Sequence, residues 1–102
     1  MFPQAYDMAR LIAGASLTAA NELVLGKAYT AINWGGGRHH AKKSEAAGFC
    51  FINDVVLAIQ HLQRKFPRVL YLDIDIHHGD GVEAAFFRSS SVLTISFHKL
   101  GE

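Results

Sequence analysis

The chain has one cysteine, Cys50, in 102 residues. A single thiol excludes an intrachain disulfide, so this is not a small secreted fold stapled by bridges, and a reducing compartment fits the cysteine usage. Charge of one sign is also missing: ten Lys and Arg stand against nine Asp and Glu, for a net +1. The signs are interspersed, which gives no long-range basic field for nucleic acid and no acidic tail. No run approaches the roughly 20 apolar residues a membrane span needs. The opening "MFPQAYDMAR" has neither the basic flank nor the apolar stretch of a signal peptide. Internal repeats, low-complexity tracts and a dividing linker are likewise missing, and the length allows at most one small domain.

What is present is half hydrophobic and ordered in pattern. Met8, Leu11, Ile12, Ala15, Ala19 and Leu23 recur at helical spacing between Asp7, a candidate cap, and Gly26, a candidate stop, predicting a helix over about 7–25. "AYTAIN", Ala28 to Asn33, reads as a short strand followed by the long polar loop "WGGGRHHAKKSEAAG". A second helix starts at Asn53 or Asp54, carries Val55, Ala58, Ile59, Leu62 and Phe66 on one face and stops at Pro67. "RVLYLDI" is then a strand, Val82 to Phe87 a helical turn, and "VLTISF" a third strand from Val92 to Phe97. Alternating strands and helices predict an α/β fold with a partial parallel β-sheet and flanking helices. Such sheets are normally covered on both faces, and one or two helices leave much of this one bare, which points to a piece of a larger domain.

The chemistry concentrates in "YLDIDIHHGDG", where Asp73, Asp75, His77, His78 and Asp80 crowd the end of an apolar strand. Unpaired charge there would be costly to bury, so a metal ion, a hydrogen-bonded catalytic network or plain solvent must compensate it. Strand alternation sets Asp73, Asp75 and His77 on one side and Leu72, Ile74 and Ile76 on the other. Asp75 and His77, two apart, offer one oxygen and one nitrogen, a start on a zinc site whose further protein ligand must come from elsewhere. His39 and His40 follow three glycines, and Asp73 and Asp80 are spare carboxylates suited to fixing an imidazole's tautomer and raising its basicity. Two acid-backed imidazoles would make a general base and an electrostatic or acid partner. A phosphate-cradling G-x-G-x-x-G fails because His40 occupies the last glycine position. His61 reads as structural, Cys50 as a small buried hydrophobe, and Lys42, Lys43 and the basic run from Arg64 to Arg68 as solvated faces.

The stretches "INWGGGRHHAKKSEAAGFCFINDVVLAI", "VLYLDIDIHHGDGVEAAF" and "TISFHKLGE" together resemble the zinc-dependent histone deacetylases of class I, most weakly before Ala28. The resemblance implies that residues 1–102 are an incomplete deacetylase catalytic domain, a fragment of the arginase/deacetylase fold. It implies that Asp75 and His77 are zinc ligands, that His39 and His40 are the tandem catalytic histidines backed by Asp73 and Asp80, and that Gly48 and Phe49 line the acetyl-lysine tunnel. It also implies structural potassium, one ion held through Asp73, Asp75, His77, Ser96 and Phe97 and a second drawing on Phe86, Ser89 and Val92. Acetylated histone tails or other acetyl-lysine proteins are the implied substrates, corepressor subunits the implied partners, and the nucleus, together with the cytoplasm, the implied location. No sequence-specific nucleic-acid binding and no membrane contact are implied.

Four departures accompany the resemblance. The family's third zinc ligand and its transition-state tyrosine have no counterpart before Glu102, nor has the acidic rim residue, and Arg38 stands where an apolar residue is usual. A competing reading is therefore a catalytically inactive, truncated interaction module. An arginase-like two-manganese site would need a carboxylate where Gly79 stands, and a metallophosphoesterase would place its G-D motif on another strand.

Overall fold

The computed structural model describes residues 3–101. Helix α1 runs Ala5–Val24, α2 Asp54–Leu62 and α3 Asp80–Phe86, with strands β1 Val69–Asp73 and β2 Val92–Ser96. The strands are parallel, in register from Val69 opposite Val92 to Asp73 opposite Ser96, and α3 forms the crossover between them. The α/β class and the parallel sheet with flanking helices are as the sequence predicted.

Helix α1 begins two residues before the candidate cap, and Asp7 lies within its first turn. A negative charge there complements the helix dipole. At the other end Gly26, with φ +71°, makes the stop: its N–H bonds to Leu23 O at 3.1 Å and that of Lys27 to Glu22 O at 2.9 Å. This is the glycine-terminated double bond that closes many helices.

The buried face of α1 differs from the predicted one. Ala5, Ala9, Ala13, Ser16 and Ala20 are buried, while Met8 and Leu11 are 54 % and 76 % exposed. Small side chains let α1 approach α2 and the loop beyond Asn33 closely, while Met8 and Leu11 are turned outward. In α2, Asn53 is the cap, accepting the Val56 N–H at 3.0 Å. Regular helix ends at Leu62, and tightened turns carry the chain through Phe66 to Pro67.

The strand expected at Ala28 to Asn33 does not form. The Ala28 N–H bonds back to Glu22 O, and the Asn33 amide donates to Ile12 O at 3.2 Å and Ser16 Oγ at 2.8 Å, so the segment is tied to α1. Its start faces Val69 and Leu70 across a cleft. β-propensity needs a neighbouring edge to act on, and among the described residues the sheet has two strands, not three.

The core is small. Ile59, Val82, Phe86 and Val92 are buried together, with Val55, Val56, Val69 and Tyr71 packed around them. The opposite face of the sheet is open: Leu70, Leu72 and Leu93 are each more than half exposed. The uncovered sheet anticipated from the helix count is thus observed.

Candidate active site

Strand β1 delivers Asp73 to its carboxyl end, where ligands of open α/β sheets gather. The side chain is buried, and both oxygens are engaged. Oδ2 meets His39 Nδ1 at 2.6 Å and accepts the Tyr71 hydroxyl, while Oδ1 accepts the Asp75 N–H at 2.9 Å. Burial alone would raise this carboxyl's pKa, but the hydrogen bonds from Tyr71, His39 and the Asp75 amide outweigh it and hold the group below the usual range. Burial and the same hydrogen bond push the Tyr71 phenol far above its ordinary value. An ionised Asp73 only accepts, so His39 Nδ1 carries the proton of that hydrogen bond.

A second pair stands beside the first. Asp80, at the start of α3, places Oδ1 2.7 Å from His40 Nδ1 and Oδ2 2.6 Å from Lys42 Nζ. Partial burial raises its pKa, but Lys42 and His40 overcome this and lower it to about 2. The two imidazole rings lie 4.2 Å apart between centroids, tilted by 42°.

Backbone contacts explain why the tandem histidines hold this position. The Gly81 N–H donates to His39 O at 2.9 Å, and a Cβ at Gly81 would come within 2.5 Å of both His39 O and Ala41 O. Only glycine lets α3 dock this closely. Asn53 adds a bond from Nδ2 to Ala41 O at 3.1 Å. On the other side the loop is held by Asp54, which is 1 % exposed and accepts from Gly37 N–H, Arg38 N–H at 2.7 Å and Ser16 Oγ.

Asp75 and His77 lie just past β1. Asp75 Oδ1 is 3.4 Å from His77 Nδ1 and 3.7 Å from His39 Nε2, and the His77 ring centroid is 6.1 Å from that of His40. Two donors of a tetrahedral zinc site with bonds of about 2.0–2.1 Å stand roughly 3.3–3.4 Å apart, so this pair fits two positions of such a site. Among the described residues no group of three or more metal-ligating side chains is gathered. A cleft of about 480 Å³ opens beside His40, His77 and Asp80.

Gly48 and Phe49 are the central residues of a tight turn closed by paired bonds between Ala47 and Cys50. Both have positive φ, +52° and +65°. For phenylalanine that conformation is strained, and it projects a ring that is 96 % exposed. A Cβ at Gly48 would press to 2.5 Å from His40 Cδ2, so the turn abuts the His40 ring.

The positions read for potassium are split between the site and the end of α3. Ser96 lies opposite Asp73 in the sheet, Phe97 N–H bonds to Asp73 O at 2.9 Å, and Ser96 Oγ is paired with His98 Nδ1 at 2.8 Å. Ser89 N–H closes a turn on Phe86 O at 2.9 Å, just before the buried Val92. Cys50 is buried as expected. His61 lies against α1, with Nε2 2.9 Å from Asn21 Oδ1.

Sequence reasoning missed two participants. Lys42, read as a solvated face, is paired with Asp80 instead. Asp54, read as a helix cap, instead anchors the histidine loop. The doublet Asn53–Asp54 held a signal for the second, since a helix needs only one such cap and the other carboxylate must go elsewhere.

A family profile described as the histone deacetylase domain matches residues 1–102. The chain is 57 % identical over 102 residues to "Histone deacetylase 6" of Arabidopsis thaliana, which is 100 % of this chain and 22 % of that protein. It is 60 % identical over 94 residues to "Histone deacetylase 8" of Xenopus laevis, covering 92 % of this chain and 29 % of the relative. "Histone deacetylase HDAC1" of Drosophila melanogaster is 55 % identical over 102 residues, 100 % of this chain and 20 % of its own length. The chain thus spans between a fifth and three tenths of these relatives. The family profile and the Arabidopsis relative both span the whole chain, the two histidine–carboxylate pairs included, and on this similarity the chain belongs to the histone deacetylase family.

Proposed function

We propose that these residues are the central part of a zinc-dependent catalytic domain that hydrolyses N-acetyl-lysine in histones and other proteins. The observation that carries the reading is the pair of acid-backed imidazoles, His39 with Asp73 and His40 with Asp80, side by side against Asp75 and His77. Asp75 and His77 would hold the zinc together with further donors, and when bound the ion supplies a Lewis acid for the amide carbonyl and for water.

The chain's own groups account for the proton transfers. With Nδ1–H given to Asp80, His40 Nε2 is free to take a proton from the attacking water as the water oxygen bonds to the carbonyl carbon. It returns that proton to the lysine nitrogen as the C–N bond breaks, releasing acetate and the amine. His39, held by the more deeply buried Asp73, serves as a fixed electrostatic partner. Gly48 and the exposed Phe49 ring would flank the apolar methylenes of the lysine stem. Potassium at Asp73, Asp75, His77, Ser96 and Phe97 would tie β2 to the zinc loop, supported by the parallel register that sets Ser96 beside Asp73. A second potassium at Phe86, Ser89 and Val92 is proposed on family resemblance alone. Acetylated histone tails as substrate, corepressor subunits as partners and a nuclear location complete the reading.

The test uses the full-length protein that contains these residues. Asp75→Asn and His77→Ala should each lose bound zinc and hydrolysis of an acetyl-lysine peptide. His40→Ala should keep zinc and lose about 10²–10⁴-fold in turnover, the usual range for a general base. Folded Asp75→Asn or His77→Ala protein with full zinc and normal turnover would sink the ligand assignment, and ordinary turnover in His40→Ala would sink its role as base.

A further inference from the structure

We propose that Lys42 is a positioning residue for His40, holding the Asp80 carboxylate in the rotation that orients the imidazole. The inference rests on the deacetylase reading for its kinetic consequence and on geometry for its substance.

The two histidine–carboxylate pairs are built differently. Asp73 has a side chain only 6 % exposed, and donors from Tyr71, Asp75 and His39 fix both oxygens. Asp80 sits at the rim of the site with a side chain 39 % exposed. Its Oδ1 meets His40 Nδ1 and the Gly81 N–H at 3.0 Å, but among the described residues Oδ2 has a single partner, Lys42 Nζ. A carboxylate at the edge of solvent turns readily about its terminal torsion, which is broad and two-fold. Lys42 occupies the oxygen that would otherwise be left to water.

The ammonium is not delivered by a loose surface chain. Lys42 follows His40 by two residues in the same loop. Ala41 between them is buried and bonded through its carbonyl to Asn53, and the Lys42 N–H donates to Glu45 O at 2.9 Å. The backbone is therefore pinned on both sides of the residue. His40 and Lys42 close on one carboxylate from the same strand of chain, with one oxygen each. An ordinary exposed ion pair contributes little because two long side chains must be held in one geometry. Here the anchored loop and the 29 % exposed lysine side chain reduce that cost, and a charge-assisted bond is about twice as strong as a neutral one. Among the described residues the Lys42 ammonium pairs with Asp80 and with neither Asp75 nor His77, so it acts through Asp80.

The experiment compares Lys42→Met, Lys42→Arg and, as a neighbouring control, Lys43→Met in the zinc-loaded full-length protein. Steady-state hydrolysis of an acetyl-lysine peptide is measured, with thermal unfolding and the proton NMR signal of the His40 Nδ1–H. Lys42→Met should lower kcat about ten-fold, about 1.4 kcal/mol in the barrier, with KM within about two-fold, and should shift or exchange-broaden the His40 proton signal. Lys42→Arg, which keeps charge and donors, should recover to within about three-fold of the parent, and Lys43→Met should match it. An inactive parent would refute the deacetylase reading, and the NMR comparison would still decide the positioning role. Wild-type kcat and an unmoved His40 signal in Lys42→Met would overturn the inference, as would equal losses in Met and Arg variants accompanied by a lowered melting temperature.

Discussion

Substituting Asp54 should damage the site from a distance of many residues, because its carboxylate is the point where α1, α2 and the histidine loop meet. All its partners are donors: Ser16 Oγ, Gly37 N–H and Arg38 N–H. Asp54→Ala leaves these without an acceptor in a place only 1 % exposed. Hydrogen bonds to a charged group contribute about 1.5–3 kcal/mol each, and they do not add fully because the three share one carboxylate. A loss of about 3–4 kcal/mol is the expected outcome. Domains of this kind are stable by about 5–15 kcal/mol in total, so the loss is large. Asp54→Asn should cost less, about 1–2 kcal/mol, since the amide oxygen can keep the Arg38 N–H while Ser16 reverses to accept from the new NH₂. Urea unfolding of the full-length protein measures the ranking, with Asp7→Ala as an exposed carboxylate control. Turnover should fall with stability, because the backbone that carries His39 and His40 is freed at Gly37 and Arg38. An Asp54→Ala variant within about 0.5 kcal/mol of the parent would refute the anchoring argument.

Asp80 makes stability depend on pH in a defined direction. Its carboxyl is lowered from 3.8 to about 2, so its contribution is present above the ordinary carboxylate range and disappears as pH falls through about 2. The stability gap between parent and Asp80→Asn, followed by acid unfolding, should therefore be constant above about pH 5 and close between about pH 4 and 2; a gap independent of pH would contradict the pairing with His40 and Lys42. Residues 1–102 purified alone should bind zinc weakly, show no measurable hydrolysis of an acetyl-lysine peptide and self-associate in sedimentation, since among the described residues no three metal-ligating side chains are gathered and Leu70, Leu72 and Leu93 are open to water. A monomer with one tight zinc and clear turnover would overturn that expectation.

The sequence made the elements legible where the signal was local. Asn53 before an apolar period marks a helix start, and Gly26 after one marks an end, because caps satisfy backbone groups within a few residues. The chemistry at the end of β1 was legible for a similar reason: so many charged and imidazole groups after an apolar strand need compensation. What failed was information carried by distant partners. "AYTAIN" has the composition of a strand, yet whether it becomes one depends on an edge it does not pair with. In α1 the helical period was read through Met8, Leu11, Ile12, Ala15, Ala19 and Leu23, whereas the close approach of α2 selects Ala5, Ala9, Ala13, Ser16 and Ala20. Lys42 with Asp80, and Ser16 with Asp54, are each separated by 38 positions, and no local pattern reports such a contact.

Three aspartates divide the labour of holding the site, and their surroundings explain how. Asp54 gathers backbone amides and a hydroxyl in the interior and bonds to neither His39 nor His40 side chain, so it fixes where the loop runs. Asp73 takes an imidazole, a phenol and an amide at the end of β1, so its histidine is set by the sheet. Asp80 takes an imidazole and an ammonium at the solvent edge, so its histidine is set by the loop that Asp54 anchors. The small apolar core could not fix side-chain directions at this distance, because dispersion and burial are non-directional. Hydrogen bonds to carboxylates are directional, and they converge where ring orientation matters. His39 is thus tied to the end of β1, while His40, proposed to move the proton, is tied to a pinned loop beside the open cleft. A base that must exchange protons with a substrate needs that access, and a purely electrostatic partner does not.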